Sequence, residues 1–157
     1  MTTREFPEGE AVGSLAHANC VVCSSSNEQG LCLSFSRLRD GSVEAEFECR
    51  KVFEGYTNML HGGIISTLLD GAMTNCMFSH GVHAVTAELV IRFLSPVECC
   101  RKASVRAWIT RSSEKLFLLR AELVQDGKTM ATGQGKFVRI KAHPLPGKAE
   151  PTARASS

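Results

Sequence analysis

His61-Gly62-Gly63-Ile64-Ile65-Ser66-Thr67-Leu68-Leu69-Asp70-Gly71-Ala72-Met73-Thr74-Asn75-Cys76-Met77-Phe78-Ser79 is the one long stretch of this chain with helical periodicity. Its apolar residues Ile64, Ile65, Leu68, Leu69, Ala72, Met73, Cys76 and Met77 recur at steps of three and four. That spacing predicts a helix from about residue 61 to 79 with most of its circumference buried. Ser66, Asp70 and Thr74 are spaced by four and form a polar stripe along it.

Beyond the helix the period changes to two. Val85, Ala87, Leu89, Ile91 and Phe93 alternate with Thr86, Glu88, Val90 and Arg92 until Pro96, so Thr86 is expected on the polar face of a strand. Ala103 to Ile109 and Phe117 to Leu123 alternate in the same way, and Gln125-Asp126-Gly127-Lys128 reads as a hairpin turn into a last strand, Met130 to Ile140. Gly133 and Gly135 in that strand suggest a bulge or a close backbone approach. Upstream, Gly30 to Arg37 and Val43 to Glu48 read as two strands joined by the turn Arg39-Asp40-Gly41. Residues 1–18 read as a lead-in, 19–141 as a single domain, and 142–157, rich in Pro, Ala, Lys and Ser, as a disordered tail.

One helix cannot cover both faces of a six-stranded sheet. The order of elements therefore predicts an α+β fold in which a curved antiparallel sheet wraps around one long central helix. An exposed sheet edge and outer face would favour association into a homodimer or homotetramer.

Bulk properties narrow the function. The 157 residues carry a formal net charge of +2, with 43% hydrophobic and 22% charged residues. A charge this small argues against a nucleic-acid partner. No apolar run is long enough to span a membrane, and the first residues lack the apolar core of a signal peptide, so a cytoplasmic location is expected. The seven cysteines are an odd number and fit free thiols better than a disulfide framework. Cys20 and Cys23 form a C-x-x-C pair with no second pair at zinc-ligand spacing, so no metal is expected and the thiols read as small, partly buried side chains.

The start of the helix has its own chemistry. Two glycines there permit close approach of a ligand or another backbone, and the first amides of a helix lack intrahelical acceptors. A carbonyl set against the Gly63 amide would be polarised, and an oxyanion stabilised further. Asp70, on the polar stripe, suits a general base. Other readings stand beside these. Gly62 could serve only close packing, His61 could be a neighbour of the helix cap whose ring merely satisfies a buried backbone group, and Asp70 could pair with a cation such as Arg92.

Together, EGYTNMLHGGIISTLLDGAM (54–73), the Cys20–Cys23 pair with Asn27 to Leu31 after it, and TAELVIRFLSPV (86–97) resemble the PaaI-like (phenylacetate-pathway) thioesterases of the hotdog-fold superfamily. The resemblance covers roughly residues 19–97 and rests on the order and spacing of several short motifs. It implies the hotdog fold and an acyl-CoA thioesterase that hydrolyses an acyl- or aryl-CoA thioester to acid and CoA. No cofactor is implied; coenzyme A enters as part of the substrate. The implied catalytic set is Asp70 as general base or nucleophile, the Gly63 amide, His61 as an orienting residue, Thr86 orienting water, and Asn58 as a further candidate. Many relatives carry Asn or Gln six residues before the histidine, where this chain has Gly55. Gly62 and Ser66 are expected to touch substrate. Arg111, Ser112, Ser113 and Lys115, at a turn between strands, offer charge and hydroxyls to CoA phosphates. Two competing functions are a hotdog hydratase or dehydratase using His61 and Asp70 as an acid/base pair, and a non-catalytic acyl-CoA-binding protein.

Overall fold

The computed structural model describes residues 17–141. The expected tail (142–157) and all but the last two residues of the lead-in lie outside them. The elements are β1 (Ser36–Arg37), β2 (Val43–Glu48), a short 3-10 turn (Lys51–Phe53), α1 (Gly62–Ser79), β3 (Ala84–Phe93), β4 (Lys102–Ser112), β5 (Leu116–Gln125) and β6 (Lys128–Arg139). All strand pairings are antiparallel, and the sheet order is β1-β2-β4-β5-β6-β3.

Helix α1 packs against each of β2 to β6. Five strands at about 4.8 Å spacing are wider than a helix about 10 Å across, so the sheet must curl around the helix to make those contacts. Leu68, Leu69, Ala72, Met73, Cys76 and Met77 are fully buried in the resulting core, with Phe35, Val43, Val105, Leu119, Leu123 and Phe137 from the surrounding chain. This is the expected α+β hotdog architecture.

Local chemistry explains the connections. Asp126 and Gly127 take φ of 51° and 73°, the left-handed pair that a two-residue hairpin needs. At Gly135 a Cβ would fall 2.6 Å from Phe137 Cε2 and 3.0 Å from Met73 Sδ. Of the two roles expected for the glycines of β6, close approach is the one found at Gly135.

The first expected strand is much shorter than its alternation suggested. Only Ser36–Arg37 of the segment from Gly30 joins the sheet. Cys32 has φ of 53°, which no strand accommodates, and the amides of Leu31 and Leu33 donate instead to Val21 O and Val22 O. Alternating side chains there pack on the core from a loop, with Leu33 and Phe35 buried.

Candidate active site

His61 caps α1 from an extended backbone conformation (φ −62°, ψ 134°), and its Nδ1 accepts from the Gly63 amide at 2.9 Å. The His61 carbonyl accepts from Ile64 and Ile65. His61 is thus the cap itself and not a neighbour of it, and its ring occupies the Gly63 N–H. Among the described residues the Gly62 amide has no protein acceptor, as the first helical amide has none of its own. Beside it lies a cavity of about 570 Å³, mostly apolar, whose walls include Tyr56, Leu60, His61, Gly62, Ile65 and Phe93. Phe93 is 55% exposed and Tyr56 82% exposed, so this wall is open.

Asp70 opens on a different space. A second cavity of about 360 Å³ is lined by Ser66, Asp70 and Thr74 from the polar stripe, by Leu89 of β3, and by His17, Cys20 and Val22 of the segment before β1. Seven residues separate Gly63 from Asp70, about 10 Å along the helix axis at 1.5 Å per residue. Gly63 and Asp70 of one chain therefore do not meet on one thioester.

Asp70 Oδ1 accepts from the Thr86 hydroxyl at 2.8 Å. Strict alternation puts Thr86 outward with Glu88, and the structure reverses that. The β3–β6 register shifts between Thr86 and Glu88, so that Thr86 faces Phe137 while Glu88 faces Lys136. Phe137 is buried, and Lys136 is exposed and ion-paired with Glu88 at 2.9 Å. Cross-strand partners share a face; Thr86 therefore points to the helix side. A β-bulge re-aims a side chain by adding one residue to a strand, and this one delivers the hydroxyl to Asp70. The alternative partner, Arg92, lies across the sheet in a cavity with Trp108 and Arg120.

Asn58 sits in the loop before the helix with φ of 59°. Its amide donates to Glu54 Oε2 at 2.9 Å, its carbonyl accepts from Cys99, and it lines neither cavity. Ser66 reaches the Asp70 cavity, though its hydroxyl is bonded back to Gly62 O at 3.0 Å. Arg111, Ser112, Ser113 and Lys115 are exposed at the β4–β5 turn, where Ser113 Oγ holds the turn through Leu116. Register places this turn in one row with the Asp70 partner: Ser112 pairs Phe117, Phe117 pairs Phe137, and Phe137 pairs Thr86. Three strand spacings, roughly 14 Å, separate the row's ends.

The sequence reading passed over His17. Its Nδ1 lies 3.9 Å from Cys23 Sγ, and its position completes an H-x-x-C-x-x-C spacing that was there to be read. Burial, then the neighbouring His83, lowers the His17 pKa. Burial, then Cys20, pushes the Cys23 thiol up to about 11. All seven cysteines are free.

Residues 57–132, which include His61, Asp70 and Thr86, match the family model described as the thioesterase superfamily. Over this stretch the chain is similar to the thioesterase superfamily. The chain is 29% identical over 96 residues to acyl-coenzyme A thioesterase THEM4 of Bos taurus, an alignment covering 60% of this chain and 39% of that protein. The chain thus spans well under half the length of that curated relative. In fold it is similar to the PaaI protein of the E. coli phenylacetic acid degradation operon, at a TM-score of 0.65 and 23% identity, covering 71% of this chain and 81% of that one. A hypothetical thioesterase from Streptococcus pneumoniae TIGR4, solved with coenzyme A, also superposes at a TM-score of 0.65 and 17% identity, covering 69% and 85% of the two chains.

Among the described residues no helix is long and apolar enough to cross a membrane.

Proposed function

We propose that this chain is an acyl-CoA thioesterase in which Asp70 is the catalytic carboxylate. The observation that carries the reading is the Thr86–Asp70 hydrogen bond, whose carboxylate lines a cavity. It fixes one carboxylate oxygen and leaves the other to activate water or attack the thioester carbon. The names of the thioesterases it resembles support the same reading.

The reading also calls for a homodimer at least. Gly63 and Asp70 sit about 10 Å apart on one helix, whereas carbonyl polarisation and attack must converge on one carbon. The free edge of β3, next to Thr86, supports a partner strand there. Pairing β3 with its copy would bring one subunit's helix start toward the other's Asp70, with the apolar cavity at His61 and Gly62 receiving the acyl chain. A carbonyl would then be polarised by the Gly62 amide, or by Gly63 once His61 yields its bond. The cations and hydroxyls of Arg111, Ser112, Ser113 and Lys115 are assigned to CoA phosphates. Free thiols suit a reducing, cytoplasmic setting.

The test is thiol release from acetyl-, aryl- and long-chain acyl-CoA by the wild type and by Asp70→Asn. Turnover by the wild type that falls at least a hundredfold in the variant is expected. Near-normal turnover by Asp70→Asn would overturn the assignment, and tight acyl-CoA binding without thiol release would make the chain a binding protein.

A further inference from the structure

We propose that His17, Cys20 and Cys23 bind a zinc ion, forming a Cys2His site that clasps the segment 17–23 onto the central helix. The ligand atoms of the three residues all lie within 4.8 Å of one another. Zinc–sulfur bonds of about 2.3 Å and a zinc–nitrogen bond of about 2.05 Å at tetrahedral angles require S···N near 3.6 Å and S···S near 3.8 Å. The Cys23 Sγ to His17 Nδ1 distance is already 3.9 Å, and shifts of at most about an ångström bring the whole set to those spacings.

The surroundings are those of a site rather than of three neighbouring side chains. The Val22 amide donates to Cys20 Sγ at 3.4 Å inside the C-x-x-C turn, a bond that steadies a thiolate ligand. The His17 ring is held edge-on by Phe78, centroids 4.5 Å apart, and the Cys20 amide donates to His17 O at 3.0 Å, closing the first turn of the motif. Asn75 supplies an independent sign. It is 1% exposed, its Nδ2 is bonded to Gly71 O at 2.8 Å, and its Oδ1 is buried with no partner. Asn75 lines the same cavity as His17 and Cys20. A buried orphan acceptor calls for a donor. A water in zinc's fourth position, donating to Asn75 Oδ1, would satisfy both.

Charge and donor type select the metal. Two thiolates and a neutral imidazole balance a divalent ion, so no net charge is carried into a half-buried cluster. Sulfur and nitrogen donors in a tetrahedron favour zinc over the oxygen-seeking cations. Binding is a substitution without redox change: each thiol gives its proton to solvent as its sulfur–zinc bond forms. The structural result is a tether, because Val22 of the same turn lies directly against the helix at Gly71. The zinc would thereby fix one wall of the space in front of Asp70.

The test needs no activity. Metal content of the purified chain is measured by mass spectrometry, and the stripped chain is then titrated with Co²⁺. One zinc per chain is expected, and Co²⁺ should give thiolate-to-metal charge-transfer absorption with the intense visible bands of tetrahedral coordination. Cys20→Ser and Cys23→Ser should abolish tight uptake, His17→Gln should weaken it and shift the visible bands, and Cys100→Ser, at an exposed thiol outside the cluster, should change nothing. Absence of zinc and of any thiolate band on titration would overturn the proposal, as would uptake equal in the wild type and His17→Gln, or a Cys20–Cys23 disulfide in metal-free chain. Should the cysteine variants not fold, X-ray absorption of the wild-type zinc protein decides: two sulfurs and an imidazole support the site, and a shell without sulfur refutes it. Asp70→Asn should retain the zinc, which separates this result from the fate of the thioesterase reading.

Discussion

The Thr86 hydroxyl donates to Asp70 Oδ1 at 2.8 Å, tying the edge strand to the third turn of the central helix. A hydrogen bond to a charged group is worth about 1.5–3 kcal/mol. Thr86→Ala should therefore lower kcat about tenfold to a hundredfold with KM little changed, and Thr86→Ser should restore most of it. Steady-state kinetics on the best acyl-CoA checks this; an unchanged kcat in Thr86→Ala would remove the positioning role.

Separation of the two half-sites predicts complementation. Gly62→Pro removes the helix amide left without an acceptor, at a position where proline is tolerated. Asp70→Asn and Gly62→Pro, each inactive alone, should regain activity when their chains are mixed through unfolding and refolding. Random pairing in a twofold dimer gives about a quarter of the wild-type sites. Failure to recover any activity from correctly folded mixed dimers would place the whole site within one chain.

Contact between Val22 and Gly71 predicts a stability coupling. A Cβ on Gly71 would stand 2.5 Å from Val22 Cγ1, so Gly71→Ala should destabilise by about 1–3 kcal/mol through overpacking. In Val22→Ala the added methyl has room, and Gly71→Ala should cost markedly less in that background. Urea unfolding of the four proteins in a double-mutant cycle measures the coupling; additive costs would disprove the contact.

Burial, its largest cause, pushes the Cys76 thiol up to about 12. A thiol raised in the folded state favours folding while protonated. Its contribution is complete below the unfolded value of 9.0 and is lost as pH climbs from there toward about 12. Unfolding free energy should fall through this window, and Cys76→Ala should flatten the fall. Denaturant titrations at pH 8 and above, compared between the two proteins, test the slope. Thiol alkylation provides a second reading: exposed Cys32 and Cys100 should react in the native state, and buried Cys76 only on unfolding.

Periodicity carried most of the fold. The helix expected from 61 to 79 is found at Gly62–Ser79, and the five strands from Val43 onward lie where the alternation put them, with ends moved by a few residues. The segment from Gly30 misled because core-facing side chains can alternate on a loop as well as on a strand. The left-handed Cys32 gave no signal in composition. In the site, the Ser66–Asp70–Thr74 stripe was legible because helical spacing is local. Three other features were not. The His61 ring on the Gly63 amide depends on a rotamer, the facing of Thr86 depends on a register shift, and the separation of the two cavities depends on how the helix lies in the sheet. His17 is legible in the H-x-x-C-x-x-C spacing, which a pattern of cysteine pairs alone does not include.

The bulge between Thr86 and Glu88 makes β3 a strand with two reading frames. Ladder bonds and core residues on either side of it tolerate one frame or the other, yet only the offset frame turns the hydroxyl inward. In regular alternation Ala87 would stand opposite Phe137 and Thr86 opposite Val138, leaving Asp70 facing no partner. In this chain one step of register in an edge strand thus divides holding a shape from holding a carboxylate.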